Sequence, residues 1–144
     1  AWRRAAFNNN QASRAKVTAS NVRGNARDFA ATNLLDGRRA TYWATDDGKN
    51  EAEVVFDLGR AAAFNIVRLG EFLPLGQRID AVAVDAWQDG EWREIGQATS
   101  VGSCRLIRSA EPVNASKVRL RVLRAAACPA LSEFGLYRWD APAG

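Results

Sequence analysis

Apolar and polar positions alternate with a period of two over most of the chain after Lys16. The clearest stretch is Lys117-Val-Arg-Leu-Arg-Val-Leu123, which sets Val118, Leu120 and Val122 on one side and charged residues on the other. Successive strand side chains point to opposite faces, so this pattern predicts a half-buried β-strand. Ile79 to Trp87 alternates in part and Lys16 to Ser20 weakly. Glu53 to Asp57, closed by Leu58-Gly59, and Phe64 to Gly70, Ser103 to Arg108 and Ser132 to Tyr137 add further short strands. Asp89-Gly90 stands between Ile79–Trp87 and Glu91–Ile95, a pairing that predicts a tight hairpin. Seven or eight short strands separated by turn residues predict an all-β fold, an antiparallel β-sandwich or jelly roll.

The first fifteen residues read differently. Trp2, Ala5, Ala6 and Phe7 fit one face of a short helix, and Asn8-Asn-Asn10 breaks it, because asparagine favours turns over helix interiors. Two readings stay open: the end of a preceding helix followed by a linker, or a disordered overhang. The expected organisation is 1–15 as helix end and linker, 16–140 as the sandwich and 141–144 as a tail. The chain starts at Ala1 and contains no methionine, which fits a piece of a longer protein. No apolar run approaches the roughly 18–20 residues of a membrane helix, and no apolar segment follows the basic Ala1-Trp-Arg-Arg as a signal peptide would require.

The net charge of +4 comes almost wholly from arginine, with Lys16, Lys49 and Lys117 the only lysines. The arginines are interleaved with Asp and Glu. Phosphate tracking needs a contiguous basic stripe, so the pattern predicts a solvated mixed-charge surface and no nucleic-acid partner. Cys104 and Cys128 cannot make a zinc site in a chain without histidine; they are expected as free, buried thiols, one disulfide being the alternative. Asn114-Ala-Ser116 is a glycosylation acceptor pattern, meaningful only in a eukaryotic secretory route. The Ala- and Arg-rich composition favours a bacterial source.

No catalytic constellation emerges. Glycoside hydrolysis with retention needs two carboxyl groups about 5 Å apart, whereas adjacent Asp46 and Asp47 would point to opposite faces of a strand. Glu71, Asp80 and Glu133 have no evident partner, and no histidine serves a nucleophile. Binding chemistry is better represented. The loop Glu71-Phe-Leu-Pro-Leu-Gly-Gln-Arg78 offers Phe72 as a platform for a sugar ring, Arg78 as a fork of donors, Gln77 as donor and acceptor and Glu71 as acceptor. Asp46 and Asp47 add acceptors from the loop after Trp43. The structural alternative has Arg78 paired with Glu71 and Phe72 capping the core. Trp43 and Trp87 are expected in the core.

Ala31-Thr-Asn-Leu-Leu-Asp-Gly-Arg-Arg-Ala-Thr-Tyr-Trp43, taken with Ser132-Glu-Phe-Gly-Leu-Tyr137, resembles the signature of the coagulation factor 5/8 C-terminal or discoidin domain, which includes the family-32 carbohydrate-binding modules. The resemblance implies a structural calcium ion held by Asn33, Asp36, Arg38, Thr41, Ser132 and Glu133, of which Asn33, Arg38 and Ser132 would use backbone carbonyls. Hard oxygen ligands of this kind suit calcium. Nearly the whole chain, including Ala15-Lys-Val-Thr-Ala-Ser-Asn-Val-Arg-Gly24, Thr41-Tyr-Trp-Ala-Thr-Asp-Asp-Gly48, Leu75-Gly-Gln-Arg-Ile79 and Cys128-Pro-Ala-Leu-Ser-Glu133, looks like the C-terminal module of family-29 α-L-fucosidases.

That resemblance implies a non-catalytic module targeting a secreted, periplasmic or lysosomal glycosidase to fucose- or galactose-containing glycan, with the parent's catalytic domain as neighbour. A structural accessory domain without sugar affinity is the alternative. Galactose-binding members commonly use a histidine, absent here. Membrane-binding discoidin domains carry long apolar loop spikes; Phe72-Leu-Pro-Leu75 is short, so a membrane partner is not expected.

Overall fold

The computed structural model describes residues 9–139. The expected helix end with Trp2 and the 141–144 tail lie outside the described residues. Seven strands follow one another: β1 (Lys16–Ala19), β2 (Trp43–Ala44), β3 (Ala52–Glu71), β4 (Ile79–Gln88), β5 (Glu91–Ala98), β6 (Arg105–Ala125) and β7 (Ala130–Tyr137). All pairings are antiparallel, in the order β2-β7-β3-β6-β4-β5, with β1 on β3. Among the described residues, four short 3₁₀ segments lie in the loops, at Arg23–Asn25, Arg27–Phe29, Ala31–Leu35 and Leu73–Leu75.

Four of the expected short strands are two long ones. Glu53–Asp57 and Phe64–Gly70 are halves of β3, and Ser103–Arg108 and Lys117–Leu123 mark halves of β6. Both strands bend where their register shifts, between Asp57 and Ala62 and again between Phe64 and Ile66. Gly59 takes φ +76° in the first bend, and its N–H donates to Asp57 Oδ1 at 3.0 Å. Pro112 lies in the β6 segment opposite the second break, where a residue with no N–H costs no ladder bond. Each long strand therefore passes from one layer to the other. The first half of β3 joins β1, the second half of β6, β4 and β5; its second half joins β7, β2 and the first half of β6.

The layers meet in an aromatic and aliphatic core. Phe56 from the first layer stacks on Phe134 from the second, ring centres 3.8 Å apart. Leu34, Trp43, Leu69, Leu120 and Leu131 fill the space around them. Trp43 is fully buried as expected, and its indole N–H donates to the Asn21 carbonyl. Trp87 is only half-buried, on the outer face of β4, where it meets Trp92 directly across the β4–β5 ladder. The hairpin forms as the sequence predicts, with Asp89 at φ +53° and Gly90 at φ +78°.

The residues just before Lys16 are not a loose linker. Ala12 is fully buried, Gln11 N–H donates to the Leu136 carbonyl, and Asn10 Oδ1 accepts from the N–H groups of Ala12 and Leu136. The turn that asparagine favours is used to seal the core beside the last strand. The cysteines are both free, but only Cys128 is buried; Cys104 is exposed in the loop before β6. That corrects the expectation of two buried thiols.

Candidate ligand-binding site

The loops after β1, β2, β3, β5 and β6 gather at one end of the sandwich. Glu71, the last residue of β3, holds this end together. Its Oε1 accepts from the N–H groups of Arg78 (2.8 Å) and Ile79 (3.0 Å), and its Oε2 accepts from Gly102 N–H (2.8 Å). Glu71 is only 4% exposed, so the carboxylate is spent on backbone donors of two loops. Its part in the structure is to shape the loops, although its flank also borders a hollow.

Phe72 continues from Glu71 and stacks nearly parallel on Tyr42, centroids 4.0 Å apart, while Phe29 tilts against the far side of Tyr42 at 5.5 Å. This pair stands between two hollows. The larger, about 440 Å³, includes Arg39, Phe72, Leu73, Pro74, Ser103 and Ser132 in its lining. The smaller, about 270 Å³, is lined by Arg23, Tyr42, Asp47, Leu75, Arg78 and Cys128, with Ala44.

The smaller hollow unites Arg78 and Asp47, which lie 31 positions apart in sequence, and adds an arginine that sequence reasoning did not single out. Arg23 Nη1 donates to Asp47 Oδ1 at 2.9 Å and to the Thr45 carbonyl at 3.1 Å. Arg78 donates through Nε to the Leu75 carbonyl and through Nη1 to the Cys128 carbonyl. Both guanidiniums are thus anchored through part of their donor set, leaving each Nη2 without a bond among the described residues. Asp47 is held below the usual carboxylate range by the Arg23 hydrogen bond and charge. Asp46 is also depressed, first by the Gly24 N–H that it accepts and then by the Asn21 amide. Asp46 and Asn21 bond reciprocally, so Asp46 pins the loop rather than lining either hollow. Gln77 lines neither hollow; a Cβ placed on Gly102 would sit 3.4 Å from its amide nitrogen. The expected Arg78–Glu71 pairing exists only through the Arg78 backbone.

The residues expected around calcium are brought near one another from both ends of the chain. Asp36 Oδ1 accepts from Arg38 N–H, Asp36 Oδ2 accepts from the Thr41 hydroxyl, and that hydroxyl also lies 3.3 Å from the Arg38 carbonyl. Arg38 then shares a hollow of about 110 Å³ with Ser132 and Glu133. Ser132 is the extra residue of a bulge, since Gly70 faces Glu133 and Glu71 faces Leu131. Asn33 sits beneath the loop, its amide donating to the Asp28 and Tyr42 carbonyls. Arg68 lies 3.2 Å from Glu133 Oε1 and also lines the hollow. Among the described residues no cluster of three His, Cys, Asp or Glu side chains occurs, so any cation there would rely on carbonyl and hydroxyl oxygens as well.

The family model for the F5/8 type C domain matches residues 16–134. The chain belongs to the F5/8 type C family. This F5/8 type C module is 36% identical over 137 residues to a rice protein (Oryza sativa subsp. japonica) provisionally named alpha-L-fucosidase 1, and 31% identical over 134 residues to alpha-L-fucosidase 1 of Arabidopsis thaliana. The match covers 94% and 91% of the module but 26% of each plant protein, so the chain spans about a quarter of the curated relatives. Among solved structures, a Ruminococcus gnavus GH29 fucosidase in complex with fucose superposes with a TM-score of 0.86 at 32% identity, over 95% of the module and 28% of that chain. Chitosan-binding module 2 from a Paenibacillus chitosanase/glucanase, solved with chitotriose, shares the fold with a TM-score of 0.77 at 22% identity, over 89% of the module and 99% of that chain. The F5/8 type C module thus corresponds to a binding-domain portion of fucosidases, whose catalytic part lies in the rest of their length.

Proposed function

We propose that the chain is a non-catalytic carbohydrate-binding module that holds a parent α-L-fucosidase on fucose- or galactose-containing glycan. The observation that carries this reading is the 270 Å³ hollow in which Arg23, Asp47 and Arg78 converge beside the Tyr42–Phe72 pair. An apolar wall with a few fixed polar groups is the general plan of a small-ligand site. Two anchored guanidiniums offer donors to ring hydroxyls, and the Asp47 carboxylate accepts from them. The lining carries two arginines and one carboxylate, and Asp46 pins the loop beside it through Gly24 and Asn21. The parent enzyme, its glycan and an extracellular or periplasmic setting, with a bacterial source, belong to the same proposal.

The test is an NMR titration of the ¹⁵N-labelled chain with L-fucose, then galactose, with calcium present. Saturable shifts at Arg78, Arg23 and Asp47, lost in Arg78→Ala, support the site; no shifts at high millimolar sugar remove it.

Structural calcium is part of the proposal. Asp36, Thr41 and Glu133 side chains with the Asn33, Arg38 and Ser132 carbonyls are the groups that would hold it, and their gathering in the loop and at the bulge fits hard-oxygen chemistry. The ion would supply positive charge tying the first loop to the last strand.

A second reading rests on the larger hollow. Leu73 lines it and is 42% exposed, and Leu75, 41% exposed, follows in the same loop on the side of the smaller hollow. As an accessory domain the chain would pack this loop against the catalytic part, and the isolated chain would bind no sugar.

A further inference from the structure

At the opposite end of the sandwich, the β4–β5 hairpin and the bends of β3 and β6 enclose an open trough of about 550 Å³. We propose that this trough is a second carbohydrate site, for the interior of a neutral oligosaccharide chain. Its lining unites Trp87, Gln88 and Asp89 from the hairpin's first strand and turn, Arg93 from its second strand, and Asn114 and Ser116 from β6.

The chemistry matches a pyranose. A sugar ring has an apolar C–H face and a belt of hydroxyls that both donate and accept. Trp87 supplies an indole wall held edge-on by Trp92, ring centres 5.2 Å apart. Asp89 accepts, Arg93 donates, and the Gln88 and Asn114 amides do both. Few of these groups are used up internally. Gln88 Nε2 donates to the Asn114 backbone carbonyl, which leaves the Asn114 side-chain amide and the Ser116 hydroxyl without hydrogen bonds among the described residues. Arg93 lies 3.4 Å from Asp89 and 3.2 Å from Glu91, in exposed pairs that a hydroxyl can enter at little cost. The Lys117 ammonium stands 5.8 Å from the centre of the Trp87 ring, at the outer limit of a cation–π contact, and yields to a ring that stacks there.

Shape and charge choose the ligand class. The trough is shallow and open, so it receives a chain from the side rather than engulfing a terminal unit. Asp89, Glu91, Arg93 and Lys117 sum to no net charge, which disfavours uronates and sulfated glycans. The hollow at Arg78 and this trough lie at the two ends of β4, nine residue steps or about 30 Å apart. One short oligosaccharide cannot reach both, but a polymer or a glycan-coated surface can. Two weak sites so placed raise avidity without any new contact.

An array of immobilised neutral oligosaccharides of four or more units, from the β-glucan, chito- and N-acetyllactosamine series, tests this with the chain, Arg78→Ala and the double variant Asp89→Asn/Asn114→Ala. Asn tolerates the positive φ of Asp89, so the turn is kept. The expected result is at least one series whose binding falls tenfold or more in the double variant, with the Trp87 indole N–H signal shifting on titration of that oligosaccharide in the parent sequence and staying in place in the double variant. Binding that depends only on Arg78 removes the trough and keeps the loop-end site. No binding to any series removes the trough, while the loop-end site is decided by the L-fucose titration.

Discussion

Glu71 and Gly102 clasp each other: Glu71 N–H donates to the Gly102 carbonyl at 2.8 Å, and Gly102 N–H donates to Glu71 Oε2 at 2.8 Å. The same carboxylate takes Arg78 and Ile79 N–H on its other oxygen. Glu71→Gln replaces an acceptor oxygen by a donor that faces an N–H. It should lower stability by about 1–3 kcal/mol, the cost of leaving buried donors unpaired. Urea denaturation measures it. An unchanged midpoint would show that the carboxylate's bonds to the two loops contribute nothing to stability.

Asp85 sets the acid response. It is 1% exposed and accepts from Arg119 Nε at 2.7 Å and from Arg121 Nε and Nη2 at 2.7 and 2.8 Å. Burial pushes its carboxyl up, and the Arg121 and Arg119 hydrogen bonds and charges more than reverse this, leaving it below the usual range. A depressed folded value means stability that is present above the unfolded value near pH 4 and lost as pH falls through the folded one. Asp85→Asn should cost about 3 kcal/mol at pH 7, because Arg119 loses its carboxylate partner and Arg121 keeps only Glu94. The gap to the parent chain should narrow below pH 4, read from denaturation midpoints between pH 7 and pH 2. A gap independent of pH would contradict the linkage.

Gly96 allows β5 to close over Ile107. A Cβ there would sit 2.4 Å from Ile107 Cγ2. Gly96→Ala should therefore destabilise by about 1–3 kcal/mol through overpacking, and Gly96→Ala with Ile107→Val should recover part of that loss. Thermal unfolding of the three chains decides.

Calcium, if held as proposed, stabilises the folded chain by mass action. Adding millimolar calcium to chelator-treated chain should raise Tm by several degrees, and Asp36→Ala should abolish the rise. Equal Tm with calcium and with chelator would leave the loop held by Asp36, Thr41 and Arg38 alone.

Thiol labelling separates the two cysteines. Cys104 should react with a maleimide in the native chain within minutes, whereas Cys128 should react only slowly because it is buried. Sugar that enters the 270 Å³ hollow should slow Cys128 further, because the thiol lines it. Mass spectrometry of labelled peptides reads both rates.

Strand identity was legible wherever one face is buried, because the period of two leaves its mark in the sequence. Val118, Leu120 and Val122 declare β6, and Asp89-Gly90 declares the hairpin since only residues tolerant of positive φ fit a two-residue turn. The resemblance of Ala31–Trp43 and Ser132–Tyr137 to the discoidin signature carried the family, now matched over residues 16–134.

Other features depended on contacts distant in sequence. That β3 and β6 run unbroken through both layers follows from cross-strand register, which no local pattern records. Whether Glu71 faces a ligand or the backbone was undecided until the loops of Arg78 and Gly102 closed on it. Arg23 and Asp47 meet across 24 positions, and Trp87 and Asn114 across 27, so both hollows exist only once the chain is folded. A sequence fixes which side chains can be buried through their periodicity and which turns can form through their backbone freedom. The partners of a polar group come from elsewhere in the chain, and only tertiary packing brings them within hydrogen-bond reach.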